Sequence, residues 1–254
     1  MKKCKILGLL AAFLSVTPGV SAAIVDWHPL YDTVGVEDVV TVGDTVEAFN
    51  FASDGSLFDV PADQSAQIGD ILFAETTGYF DEDTSDNYLF LDGETTGDAS
   101  YDLLLNTLDY GNGIEPTDFY AGHGNLVVGR TYLVQFWLAD LRAGIQGDRF
   151  VNVEDSAGNN IRLHRIGDGL GTYGIGVFTA DSDSQLLKIN LVADAGNAHM
   201  NAYQLRDVTD SAIIDLAEGR DLAAVPVHSF GLPLMLLGLM GWRIRASKRR
   251  LAYS

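Results

Sequence analysis

Hydrophobic positions along this chain fall in short runs broken by Gly, Asp and Asn, and within most runs they alternate with polar ones. That period of two belongs to strands rather than helices. The clearest run is Thr131–Leu138. Tyr132, Val134, Phe136 and Leu138 point one way, while Leu133 and Trp137 share the other face with Thr131 and Gln135. Apolar character on both faces predicts a central strand covered on both sides, entered through a tight turn at 126–130. Strands are also expected at 150–154, 160–164, 173–179, 186–192 and 201–208, with 155–160 as a hairpin connection. In 186–192, Leu187, Ile189 and Leu191 alternate with Lys188 and Asn190, so that strand has one wet face.

Upstream the pattern is weaker. Residues 24–29 are apolar, and in 33–42 Val34, Val36 and Val40 alternate in part with polar residues. Residues 45–51 predict a strand with Val46, Ala48 and Asn50 on one side. Short strands are expected at 70–74, led in by Ile68-Gly69, and at 88–91, running into an Asp92-Gly93 turn. One stretch has the helical period. Tyr101, Leu104, Leu105 and Leu108 fall at i, i+3, i+4 and i+7 behind Asp98, a good N-cap, with Ser100 as its alternative. This short helix is expected to close one end of the domain. The total is roughly nine to eleven strands and one helix, which describes a single antiparallel β-sandwich over 23–208.

The two ends of the chain follow other rules. Lys2, Lys3 and Lys5 precede an apolar stretch at 6–16, then Pro18-Gly19 and the small residues Val20-Ser21-Ala22. This is the layout of a secretory signal peptide cut before Ala23, and its apolar part is short for a membrane span of ~20 residues. The other end, Val225–Ser254, opens with Val225-Pro226-Val227-His228 and continues with an apolar run. It closes with Arg243, Arg245, Lys248, Arg249 and Arg250. Residues 222–242 carry no formal charge and are long enough to span, although Pro233 and several glycines weaken the segment. The basic cluster predicts a cytoplasmic C-terminus with the domain outside. An acidic, Ala-rich spacer, 209–224, lies between domain and tail.

Charge sharpens this division. Between residues 23 and 224 there are eight basic residues against all 35 acidic ones, a formal charge of −27. Such a surface repels nucleic acid and anionic lipid and keeps an exported protein soluble. Cys4, the single cysteine, precedes the apolar stretch and leaves with the leader, so the mature protein has no disulfide.

Catalytic constellations are not evident. There is no Gly-x-Ser-x-Gly elbow, and the histidines of the domain, His28, His123, His164 and His199, have no zinc-ligand spacing. Paired carboxylates could serve glycoside hydrolysis, yet so many acidic residues make pairs by chance. The densest acidic loop, 81–87, offers Asp81, Asp83 and Asp86 as oxygen ligands for calcium, without the spacing of an EF-hand. A solvated loop is the alternative reading. For glycan stacking, Tyr110 and Tyr120 lie in stretches expected to be flexible, with Asp140 and Arg142 as partners for hydroxyls. Ordinary packing is the alternative for each, and for Trp137 it is the expectation.

The tail, with Val225-Pro226, an apolar segment and an Arg cluster in that order, resembles the PEP-CTERM class of protein-sorting signals of Gram-negative bacteria that make exopolysaccharide. Val227-His228 stands where that class has Glu-Pro. The domain is similar to galactose-binding-like jelly-roll domains. The matching stretches are Val46-Glu47-Ala48-Phe49-Asn50-Phe51, residues 126–142, Gly171-Thr172-Tyr173-Gly174-Ile175-Gly176-Val177-Phe178-Thr179-Ala180 and Asn201-Ala202-Tyr203-Gln204-Leu205-Arg206. The resemblance implies a jelly-roll fold, passage through the secretion machinery, and processing at the inner membrane by an exosortase-type enzyme. The expected protein is non-catalytic and anchored or sorted to the cell surface or matrix, where it associates with extracellular polysaccharide. A purely structural surface protein is the rival expectation, and a secreted hydrolase the third.

Overall fold

The computed structural model describes residues 23–51, 64–76, 91–110, 116–142, 150–165, 169–192 and 199–211. The leader 1–22, the expected strand at 88–90, the spacer from 212 and the tail lie outside them. In chain order the strands are β1 (Asp26–Trp27), β2 (Tyr31–Asp32), β3 (Asp44–Phe51), β4 (Ala66–Ile68), β5 (Ile71–Thr76), β6 (Asp109–Tyr110) and β7 (Thr117–Ala121). There follow β8 (Thr131–Leu138), β9 (Phe150–Asp155), β10 (Asn160–His164), β11 (Thr172–Thr179), β12 (Gln185–Val192), β13 (His199–Met200) and β14 (Ala202–Asp207). An α-helix, α1, is Ala99–Asn106. Among the described residues the protein is all-β with a single α-helix.

A large sheet has the order β1-β11-β8-β14-β3-β5-β4, with β2 also on β11, and a smaller one has the order β10-β9-β12-β7. Every pairing in them is antiparallel except β3 with β5. β1 to β5 all belong to the large sheet, and from there the chain crosses repeatedly: β7 is in the small sheet, β8 in the large, β9 and β10 in the small, β11 in the large, β12 in the small and β14 in the large. β6 and β13 form a separate two-stranded ribbon.

β8 is central, as its two apolar faces require. Tyr132, Val134, Phe136 and Leu138 pack toward the small sheet with Phe51, Phe119, Val153, Ile189 and Tyr203. Leu133 and Trp137 face the opposite way into a second core with Ile71, Phe73, Ile175 and the helix residues Tyr101, Leu104 and Leu105. β11 turns glycines toward the small sheet because there is no room for more. A Cβ on Gly174 would meet Ile161 Cδ1 at 2.7 Å, and one on Gly176 would meet Val25 Cγ1 at 2.5 Å.

The strands expected from 131 onward are present to within a residue or so at each boundary. Asp98 caps α1 as expected, its Oδ1 accepting from Ser100 N at 3.0 Å and Tyr101 N at 2.9 Å. The helix does not close an end of the sandwich, however. It lies on the outer face of the large sheet, where its three buried side chains meet Trp137 and Phe73. Other expectations fail locally. Residues 33–42 contain a 3-10 turn, Val36–Asp38, instead of a strand, because Asp38 Oδ2 accepts from Val34 N at 2.6 Å and Gly35 N at 3.1 Å. Val46 does not share a face with Ala48. The β3–β14 register slips between Leu205 and Arg206, so Val46 packs toward the small sheet and Ala48 away from it. Leu91 belongs to the turn that includes Asp92 and Gly93, not to a strand.

The sandwich has two distinct ends. Thr131 is opposite Thr179, and Val208 N donates to Thr131 O, so β8 begins where β11 finishes and where the chain leaves β14. Ala23 is at this same end, its carbonyl accepting from Gln185 Nε2 at 2.9 Å. Asp140 and Arg142, just after β8, are at the other end.

Candidate functional site

At the end of β8 the chain turns through Asp140-Leu141-Arg142 against Arg165. Arg142 grips Asp140 in a bidentate pair, Nε to Oδ1 at 2.8 Å and Nη2 to Oδ2 at 2.9 Å. Arg165 Nη1 donates to the Asp140 carbonyl at 2.7 Å. The Asp140 side chain is 0% exposed and that of Arg142 23%. The two candidates therefore do come together, but as a pair committed to each other. Among the described residues the Asp140 carboxylate is buried against the guanidinium it holds.

Tyr120 is far from them. It is 46% exposed and sits in β7, an ordered strand instead of the flexible stretch expected. Phe119 and Ala121 on either side point into the core, which turns Asp118 and Tyr120 outward. Ala121 pairs with Gln185 at the end where Ala23 lies, so Tyr120 and the Asp140–Arg142 pair are near opposite ends of the sandwich. The backbone of Tyr110, in β6, pairs with His199 near the Asp140 end, since the adjoining Asn201 bonds to Trp137 O and Ala139 N. The four glycan candidates do not converge on one spot.

The outward face of the small sheet is a broader arrangement that includes Tyr120. Alternation makes it: Val151, Val153, Ile161, Leu163, Leu187 and Ile189 turn inward, leaving the residues between them outside. Register sets them in rows. Asp118, Lys188, Glu154 and Asn160 form one, and Asn190, Asn152 and Arg162 the next. Phe150 lies opposite His164, their rings 4.5 Å apart and edge to face. Arg162 Nε donates to Asn152 Oδ1 at 3.2 Å, and its guanidinium lies 5.9 Å from the Phe150 ring centre. Asp118, Lys188, Glu154 and Arg162 sum to zero formal charge, on a body that is −27 overall. This neutral face of amides and rings is the surface best suited to polyhydroxylated ligands. Among its residues only Tyr120 is a glycan candidate from sequence, while the wet face of 186–192 already puts Lys188 and Asn190 outward. The alternation in 150–154 and 160–164 carried the signal for the rest, because it puts Phe150, Asn152, Arg162 and His164 opposite the apolar positions.

The most perturbed titratable groups lie elsewhere, beneath α1. Tyr101 hydroxyl donates to Asp38 Oδ2 at 2.9 Å and accepts from Trp137 Nε1 at 3.1 Å. Burial raises the Asp38 carboxyl above its ordinary range, against the hydrogen bonds from Val34, Gly35 and Tyr101 that favour its charge. Burial, and next the Asp38 charge, raise Tyr101 strongly. The cluster ties the 33–40 segment to the sheet and the helix.

Asp81, Asp83 and Asp86 lie outside the described residues, as do Val225, Pro226, Arg243, Arg245, Lys248, Arg249 and Arg250. Among the described residues no group of three or more His, Cys, Asp or Glu side chains is placed to hold a metal ion. No helix among them is long and apolar enough to cross a membrane. The chain matches no protein-family profile and no curated protein.

Proposed function

We propose that this chain is an exported β-sandwich protein, anchored in or sorted through the inner membrane, that associates with extracellular polysaccharide and carries out no catalysis. The observation that carries the reading is the outward face of the small sheet, open to solvent, neutral in a strongly acidic body, and lined by amides, Arg162 and the rings of Tyr120 and Phe150. Amides hydrogen-bond hydroxyls, and aromatic rings match the C–H faces of sugars. We also infer that the sandwich is a jelly roll. The support is the repeated exchange of the chain between the two layers, through β7, β8, β9–β10, β11, β12 and β14 in turn. Tethering by the tail is supported by the position of Thr209, which accepts from Thr131 N at one end of the sandwich. Calcium bound at Asp81, Asp83 and Asp86 would add a second means of attachment, readable as a calcium-dependent rise in melting temperature.

The Asp140–Arg142 pair favours a second reading, a structural surface protein, because two polar candidates are spent on each other. Co-sedimentation of the full chain, in mild detergent, with polysaccharide from the producing cells separates the two. Binding that is lost in Tyr120→Ala or Asn152→Ala supports the first, and absence of binding the second. Intact mass of the protein recovered from cell surface and medium tests sorting. Loss of 1–22 and of the segment after about residue 225 is expected; an intact tail in the membrane fraction would leave a plain anchor.

A further inference from the structure

In a body of charge −27 the destination of each positive side chain among the described residues is informative; Arg149 and Arg220 lie outside them. Arg130 pairs with Asp207 and Asp210, and Arg142 with Asp140. Arg165 and Arg206 are buried and bonded to backbone carbonyls. Lys188 is exposed but stands in register between Asp118 and Glu154. Arg162 differs from all five. It is exposed, makes no ion pair among the described residues, and lies across from an amide, Asn152, with no carboxylate directly opposite. It is also held in place. Nε is engaged by Asn152 Oδ1, the guanidinium rests over Phe150, and Phe150 is itself met by His164.

An arginine oriented by neighbours that do not neutralise it is prepared for an anion from outside. With Nε in use, the two terminal nitrogens present a planar fork that fits a carboxylate. We propose that Arg162 anchors the carboxylate groups of an acidic, uronate-bearing polysaccharide laid across the outward face of the small sheet. The inference rests on the glycan reading above and narrows its ligand. Asn152, Asn160 and Asn190 around Arg162 offer donors and acceptors to hydroxyls, and Tyr120 lies at the opposite corner of the face, roughly 20 Å away by strand spacing and rise. The acidic remainder of the surface repels a polyanion over a Debye length of about 8 Å at physiological ionic strength. Among the described residues, attachment is thereby favoured on the face that carries the uncommitted Arg162. An acidic protein is a poorer match, because the residues beside Arg162 are amides and rings and not further cations.

The test is binding of the full chain in mild detergent to polygalacturonate, to its carboxyl-reduced derivative and to polyglutamate, alongside polysaccharide isolated from the producing cells. Expected is binding to polygalacturonate that falls roughly tenfold or more on carboxyl reduction and by a similar factor in Arg162→Gln, the worth of one charge-assisted contact. Arg130→Gln, off this face and already paired with Asp207 and Asp210, should change it by less than about twofold. Arg162 is exposed, so its substitution leaves the melting temperature unchanged as a control. Equal binding to the reduced polymer, or no effect of Arg162→Gln, would overturn the carboxylate anchor and leave the glycan reading intact. Equal, Arg162-dependent binding of polyglutamate would overturn the glycan as occupant. Failure to bind any of the polysaccharides, the native one included, would overturn the functional reading itself.

Discussion

Between the sheets, the large sheet buries hydrocarbon and rings. Phe119 alone meets Phe51, Phe136 and Tyr203 edge-on at 6.2, 5.7 and 4.7 Å between ring centres. On the opposite side the same strands present Gln135, Gln204 and Arg206, all buried. The difference lies in what covers them. A paired sheet brings few unpaired backbone groups to its partner, whereas an irregular segment brings many. Residues 38–43 are such a segment, and the strands supply what it lacks. Gln135 Nε2 donates to Asp38 O at 2.7 Å, and Gln135 Oε1 accepts from Val40 N at 3.1 Å. Gln204 Nε2 donates to Val40 O at 3.0 Å. Arg206 donates to the carbonyls of Thr41, Val42 and Gly43 and to Thr45 Oγ1. On one side the sheet is a packing surface; on the other it substitutes for solvent.

The largest effect should come from breaking the polar side at its most connected point. Arg206→Met keeps much of the volume but orphans the carbonyls of residues 41–43, at a cost of about 5 kcal/mol in urea unfolding. Phe119→Ala on the apolar side should cost nearly as much, about 4 kcal/mol, through lost burial and a cavity. The two should differ in where they act. Hydrogen exchange at 39–45 should accelerate selectively in Arg206→Met, and globally in Phe119→Ala. A mild, delocalised effect of Arg206→Met would mean that the segment does not depend on the strand for its hydrogen bonds.

The glutamines sharpen the same comparison at smaller scale. Gln135→Leu removes three bonds, including one from Gln204 Nε2 at 2.7 Å, and should cost about 2 to 3 kcal/mol. Gln204→Leu removes two, and its Oε1 has no hydrogen-bond partner among the described residues, so the loss should be nearer 1 kcal/mol. Because the two side chains share a bond, the double variant should cost less than the sum. Additive losses would show that Gln135 and Gln204 act independently.

What was legible in the sequence divides along the same line. Alternation in Thr131–Leu138 showed that both faces of β8 are buried, and the period of α1 with its Asp98 cap identified the helix. Those are local signals. The partners of Gln135, Gln204 and Arg206 are backbone atoms roughly a hundred or more residues away, which no local period encodes. The 3-10 turn was missed for a related reason. Val34 and Val36 suggest a strand, but they are exposed, and the residue that decides the conformation is Asp38. Among site residues, the adjacency of Asp140 and Arg142 was readable, whereas their mutual pairing depends on side-chain geometry. Tyr120 is exposed, but on an edge strand and not in the flexible stretch its sequence suggests.

The smallest effect concerns pH, and here two carboxylates near α1 should behave oppositely. Burial sets Asp38 above its ordinary value despite the hydrogen bonds it accepts. The folded state then holds this proton more tightly than the unfolded one, so stability falls as pH rises from the ordinary aspartate value, about 3.9, through the raised one. Asp102 is the reverse. Partial burial works against its charge, but bonds from Thr95 Oγ1, Thr96 Oγ1 and Thr96 N outweigh it and hold the carboxyl low. The stability it contributes is present above the ordinary value and disappears as pH falls through the lowered one. Asp38→Asn should therefore gain on the parent protein as pH is raised through the acidic range, on top of a pH-independent offset from altered hydrogen bonding. Asp102→Asn should lose on it over the same climb. Urea midpoints at several pH values read both slopes. Parallel slopes would mean that the hydrogen bonds on Asp38 Oδ2 outweigh its burial, making the polar side of the sheet a better host for charge than its packing suggests.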